Sequence, residues 1–275
     1  MAVQNHFKAF PTDILVATTP KSGTIWLKSL VFATMNRKST TAAPHSLLLN
    51  FCPHDLVPCL EQRLYLKQIP DDIELLPIPR VLATHMPYTS LPHSVLDSGC
   101  RIIYLSRNPK DTFVSYWHFV NKVRSKRLES PLSLEEAFEM FCNGTIGFGP
   151  FWDHVLGYWK ASLERPNCVL FLKFEELQLE PAFQLKRVAE FMGCPFSYEE
   201  EKEEAMIDDI VRLCSFENLR NLEVTRNGAT ASDNKKSVFF RQGKVGDWEN
   251  HLKPEMIQRL DWITEQKWKA NGLVI

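Results

Sequence analysis

A lysine, a serine, a glycine and a threonine follow one another at residues 21–24, between a short apolar run and an amphipathic stretch. Lys21 supplies a mobile positive charge, Ser22 and Thr24 supply hydroxyl donors, and Gly23 lets the backbone approach an anion closely. At the start of a helix, free N–H groups and the positive end of the dipole converge, so such a set grips a phosphate-like group. Two other pieces can share its work. His85 sits in ATHMP, and imidazole is the side chain whose ordinary pKa suits proton uptake near neutrality. Arg107 and Ser115 stand eight residues apart in SRNPKDTFVSYWHF. A strand ending at the first and a helix carrying the second bring both to one anion.

These residues need elements to hold them. Ile14–Thr18 is a near-continuous apolar run of the kind found in strands buried on both faces. Pro20 ends it, and Trp26, Leu27, Leu30, Val31 and Met35 then recur at helical spacing. RVLAT at 80–84, CRIIYLS at 100–106 and VLFLK at 169–173 predict three more strands. His85 therefore falls at a strand's carboxyl end, where open α/β sheets place their clefts. Pro109 fits the first turn of the helix after the third strand. Residues 131–163 give two apolar stripes joined by the glycine-rich NGTIGFGPF. A helix is expected over 180–192 and a closing amphipathic helix over 254–269. The acidic SYEEEKEEAMIDDI reads as a solvated helix face, and residues 223–236 as a mobile loop. Residues 36–79 are expected to form loops covering the cleft, with a short helix in PHDLVPCLEQRL.

Alternating strands and helices predict an α/β fold, a P-loop-like parallel β-sheet flanked by helices. No repeat, low-complexity tract or linker divides the chain, so residues 1–275 are expected to form a single domain. The 275 residues are 44% hydrophobic and 24% charged, ordinary for a globular protein. A net charge of −1 argues against nucleic acid as a partner. Seven cysteines without CxxC spacing suggest reduced thiols rather than a disulfide frame or a zinc site. The N-terminus lacks a signal-peptide pattern, and no segment reaches about 18 uninterrupted apolar residues. The expectation is a cytoplasmic protein with no membrane partner.

Residue order separates this loop from a nucleoside-triphosphate P-loop, whose lysine follows the last glycine of GxxxxGK[ST]. TTPKSGTIW instead resembles the sulfuryl-side loop of the cytosolic sulfotransferases, which use PAPS (3′-phosphoadenosine 5′-phosphosulfate). THMP resembles that family's THxP, YLSRNPKDTFVSYWHF its 3′-phosphate segment, and FFRQGKVGDWENHLKPEM its RKGxxGDW segment. The matches run in the family's order over nearly the whole chain, and ATHMPYTSLP and DILVATTPKSG look most like plant members.

The resemblance implies transfer of a sulfuryl group from PAPS to a hydroxyl of a small-molecule acceptor, such as a phenol or steroid, with release of PAP and no metal. It makes His85 the general base, Lys21 the cation at the sulfuryl and leaving-group oxygens, and Ser22 the residue that restrains Lys21. Backbone groups of Ser22, Gly23 and Thr24 would support the oxyanion, next to Ile25 at a position where the family has a threonine. Arg107, Ser115, Arg241 and Gly243 would hold the 3′-phosphate, with Gln242 in place of a lysine. Trp26, Phe174, Cys214 and Phe216 would lie against adenine, Phe174 standing where the family has a tyrosine. Phe138, Phe141 and Phe148 are candidates for lining the acceptor pocket, although core packing is the simpler role for any one of them. Trp26 at helical spacing is equally a core residue, His85 a structural histidine, and Arg107 a salt-bridge partner. Family members usually carry more than the dozen or so residues that precede Ile14 here. Together with Ile25, Phe174 and Gln242, that difference leaves a second expectation, a PAP-binding homologue with little turnover.

Overall fold

The computed structural model describes residues 2–38, 44–61, 73, 76–202, 205–228 and 236–274. Four parallel strands form one sheet in the order β2-β1-β3-β4: β1 is Ile14–Thr18, β2 Val81–Thr84, β3 Arg101–Ser106 and β4 Val169–Lys173. Ile14 pairs with Val81 on one side and Arg101 on the other, so β1 is central. β2 begins one residue later than the sequence suggests. Arg80 is occupied instead by a buried ion pair with Asp13, 2.5 Å between Nη2 and Oδ2.

The continuous apolar runs are explained by cover on both faces. Leu15, Ala17, Ile102 and Tyr104 face one core, together with Phe113, Phe141, Trp152 and Tyr158. Ile14, Val16, Ile103 and Leu105 face the other, with Leu27, Leu30, Leu185 and Val188. Chain direction diverges at the carboxyl ends of β1 and β3, because β1 leads to β2 on one flank and β3 to β4 on the other. This is the switch point at which α/β sheets open a crevice.

Two helix starts position the site. The Thr24–Asn36 helix begins after Gly23, and the Pro109–Lys126 helix begins at a proline whose N-cap, Asn108, accepts a 2.9 Å hydrogen bond from the Lys110 backbone N–H. The two stripes of 131–163 form separate helices, Leu134–Cys142 and Phe151–Glu164, the first closed by a Ser133–Glu136 capping box. The last long helix, Pro254–Lys267, packs against the Phe151–Glu164 helix through Trp268, whose indole N–H donates to the Trp152 carbonyl at 3.0 Å.

Two expectations change, and a third falls largely outside the described residues. The helix expected from 180 is Pro181–Phe191, and a separate short helix, Phe174–Leu179, precedes it, with a proline at the restart. Residues 223–227 are helical with Thr225 buried, because the segment packs against its neighbours; 229–235 lie outside the described residues. Much of the expected 36–79 cover, at 39–43, 62–72 and 74–75, also lies outside them; within it Pro44–Asn50 and Pro53–Leu56 are helical. Among the described residues no helix is long and apolar enough to cross a membrane.

The acidic run is not wholly solvated. Glu200 is buried and takes Arg37 Nε at 3.1 Å and the Ser197 N–H at 2.7 Å. Burial alone would raise its pKa, but the Ser197 N–H, Arg37 and Lys38 outweigh that and hold it down to about 2. A depressed carboxylate stabilises the fold above its unfolded pKa and loses that contribution as pH falls through the folded value. Urea unfolding between pH 4.5 and 2 should therefore show a loss on the order of 1–2 kcal/mol that Glu200→Gln removes. Identical pH slopes in the two proteins would contradict this.

Candidate functional site

The loop after β1 is built by short hydroxyl contacts. Thr19 Oγ1 and Ser22 Oγ are 2.5 Å apart, and Thr18 Oγ1 and Thr24 Oγ1 2.7 Å apart. Lys21 and Gly23 both have positive φ, 72° and 99°, which turns the chain back so that helical N–H groups follow at once. Gly23 is required on two counts. A Cβ there would lie 2.8 Å from the Phe174 ring, and the left-handed backbone disfavours side chains. Gly23→Ala is expected to destabilise by about 1–3 kcal/mol and to weaken anion binding by shifting this loop. Thermal unfolding and a ligand titration would check it, and wild-type values in both would refute it.

Lys21 Nζ donates to the Phe239 carbonyl at 3.1 Å and lies over the Phe119 ring, 4.8 Å from its centroid. Burial first, then the positive charges of Lys122, Arg107 and Arg241, bring its pKa down to about 7. The expected restraint by Ser22 takes a different form here, since the serine hydroxyl is engaged by Thr19 and the lysine by Phe239.

His85 follows β2 and faces β1. Its Nδ1 lies 2.8 Å from the Thr18 carbonyl, an acceptor only, so Nδ1 carries the proton and Nε2 keeps its lone pair. Burial is the main cause holding its pKa below the ordinary imidazole value. The ring packs on Phe148, centroids 5.5 Å apart, and Phe148 is 39% exposed. Phe138 and Phe141, by contrast, are buried around Phe113 in the core.

Arg107 leaves β3 and is 5% exposed. Its guanidinium donates to the Lys244 carbonyl at 2.7 Å, approaches the Lys21 carbonyl at 3.4 Å and stacks on Phe174 with 4.5 Å to the ring centroid. Phe174 in turn meets Trp26 edge-on, centroids 5.4 Å apart. Asp111 accepts the N–H groups of Gly246 at 2.9 Å and Trp248 at 3.3 Å, tying the 241–248 loop to the helix that carries buried Ser115. In that loop Arg241 is ion-paired with Asp247, and Gly243, with φ 67°, presses so closely on Phe216 that a Cβ would stand 2.5 Å from its ring. The Nε atoms of Arg107 and Arg241 and the indole Nε1 of Trp26 are buried without a hydrogen-bond partner. Buried donors are nearly always matched, so three unmatched ones in and beside this cluster of cations suit an anionic ligand with a flat base.

The fold thus joins Lys21, Gly23, Trp26, Arg107 and Phe174 through direct contacts, with Arg241 among the charges felt by Lys21. Cys214 is wholly buried, in the same core cluster as Phe174, and burial pushes its thiol up to about 12. Ile25 is half-buried, and Gln242 is exposed. Sequence reasoning missed Glu61, whose carboxylate accepts the His85 backbone N–H at 2.6 Å, and His154, whose Nε2 lies 2.9 Å from the His85 carbonyl.

Residues 11–272 match the sulfotransferase domain family. The chain belongs to the sulfotransferase family. It is 48% identical over 274 residues to cytosolic sulfotransferase 5 of Arabidopsis thaliana, covering 98% of this chain and 84% of that one. Flavonol 4′-sulfotransferase of Flaveria chlorifolia is 44% identical over 274 residues, covering 99% of this chain and 84% of that relative. The fold matches mouse sulfotransferase SULT7A1, crystallised with PAP, at a TM-score of 0.71 and 24% identity, covering 96% and 86% of the two chains. The protein is accordingly a transferase of sulfuryl groups, similar to plant cytosolic sulfotransferases.

Proposed function

We propose that this sulfotransferase takes its sulfuryl group from PAPS, passes it to a hydroxyl of a small-molecule acceptor and releases PAP. The reading rests most on the unmatched Nε atoms of Arg107 and Arg241, two buried guanidinium donors beside Lys21. When bound, PAPS supplies a sulfuryl group already attached to a phosphate leaving group. Arg107, Arg241, Ser115 and the Gly243 backbone hold the 3′-phosphate, and Trp26, Phe174 and Phe216 flank the base. Lys21 and the N–H groups of Ser22, Gly23 and Thr24 meet the charge that develops on the leaving oxygen. His85 Nε2 takes the acceptor's hydroxyl proton. Phe148 beside that imidazole offers an apolar ring face, suited to a phenol or steroid acceptor.

Calorimetric titration with PAP tests the donor, with AMP and ATP·Mg as controls. PAP binding with none for AMP supports the reading, and equal binding of PAP and AMP overturns it. The same titration reports on Lys21. Its amine, brought down to about 7 in the free protein, is held charged by an arriving anion, so its pKa rises and binding takes up protons near pH 7.5. The apparent binding heat should vary with the ionisation heat of the buffer, and Lys21→Met should abolish that variation.

A further inference from the structure

The catalytic reading of His85 leaves unexplained why a carboxylate lies against its backbone. Glu61 Oε1 accepts the His85 N–H at 2.6 Å, and Oε2 accepts the hydroxyl of Thr84, the last residue of β2, at 2.9 Å. The same Thr84 oxygen accepts the Met86 N–H at 3.0 Å. Glu61 thus grips the base and the residue before it, and Thr84 passes the hold on to the residue after it. On the other side, His154 is buried and neutral, its pKa pushed down to about 4 by burial. Its Nδ1 takes the Tyr104 hydroxyl at 3.0 Å, so Nε2–H donates to the His85 carbonyl at 2.9 Å. Tyr158 donates to the Met86 carbonyl at 2.8 Å. Polar groups therefore hold the peptide units on both sides of His85, and Glu61 alone among them brings a negative charge.

We propose that Glu61 is a positioning residue for His85: its carboxylate fixes the backbone of the base and, as a negative charge beside it, favours proton uptake at the ring. The inference rests on the assignment of His85 as base. The charged and titratable groups facing the ring are Glu61, Lys28 from the Thr24–Asn36 helix, Lys21 from the β1 loop and, through its contact with the His85 carbonyl, His154. Glu61 opposes both the burial of the ring and the two lysines. Without it, an imidazole already held low becomes a weaker base. The carboxylate has no counterpart on Nδ1, which is taken by the Thr18 carbonyl, so Glu61 acts through field and backbone rather than by accepting the ring proton.

The decisive measurement is the titration of the His85 ring by NMR in histidine-labelled protein, its signal assigned by its loss in His85→Gln. In Glu61→Gln, nearly isosteric but uncharged, the His85 pKa should fall by about one unit. The acid limb of kcat/KM should move to lower pH by the same amount, and kcat on the plateau should fall a few-fold while acceptor KM stays put. Glu61→Asp withdraws the charge by one methylene and should give a smaller shift in the same direction, which carries the test should the glutamine variant not fold. An unchanged His85 titration in either folded variant overturns the proposal, as does a loss of stability with no movement of the pH profile. Should His85→Ala retain full turnover, the assignment of the base falls. The ring titration still decides separately whether Glu61 sets its proton affinity.

Discussion

His85→Ala is expected to lower turnover by about 10²- to 10⁴-fold, the usual contribution of a positioned general base. The loss should appear in kcat and, to the same extent, in kcat/KM, because proton transfer is worth most in the transition state. Binding of PAP should stay within a few-fold of wild type, since the His85 ring bonds to the Thr18 carbonyl and packs on Phe148 while the cations proposed to hold the nucleotide are other residues. The pH profile adds a second check. Burial lowers the pKa of His85 and so favours its neutral, proton-accepting form. The wild-type acid limb should therefore lie below the ordinary imidazole value, and the residual activity of the alanine variant should lack that limb. Turnover within tenfold of wild type would remove His85 from the mechanism.

Arg107→Ala is expected to weaken PAP binding by about 30- to 1,000-fold, corresponding to about 2–4 kcal/mol, the loss seen when one member of a buried charge contact is truncated. Selectivity is the sharper readout. An arginine that meets the 3′-phosphate should cost PAP far more than AMP, collapsing the ratio of their affinities. Arg107 also stacks on Phe174 and donates to the Lys244 carbonyl, so part of the effect will be structural. Arg107→Lys, which keeps the charge without the fork, should recover some affinity and little of the geometry. A variant that prefers PAP over AMP as strongly as wild type would place the phosphate elsewhere.

The strands were legible because a parallel sheet covered on both faces writes itself as unbroken apolar runs, as at Ile14–Thr18 and Val169–Lys173. The β1 loop was legible from its residue types and from the helical spacing after it. Glu61 was not, because its partner His85 lies 24 residues on and the two meet only after the intervening chain has returned to β2. His154 lies within an apolar helix, where nothing in its spacing marks it until the fold sets it against the His85 carbonyl. Phe148 could be named only as one of three candidates. A backbone φ of 65° presents it to His85, while Phe138 and Phe141 turn into the core. Glu200 shows the converse error, since polarity alone cannot tell an exposed carboxylate from one matched by Arg37.

The central place of β1 governs how the protein is made. Both hydrogen-bonded edges of β1 are filled by strands synthesised much later, β2 and β3, so the emerging chain cannot complete even one ladder near its own start. Pairing at such separation is slow, because loop closure must precede any gain from contact. On the ribosome the apolar β1 can gain its first partner only once Thr84 of β2 has cleared the exit tunnel, and its second only once Ser106 of β3 has. The loop after β1, first in sequence among the working parts, finds its partners Phe174 and Phe239 only when most of the chain has been made.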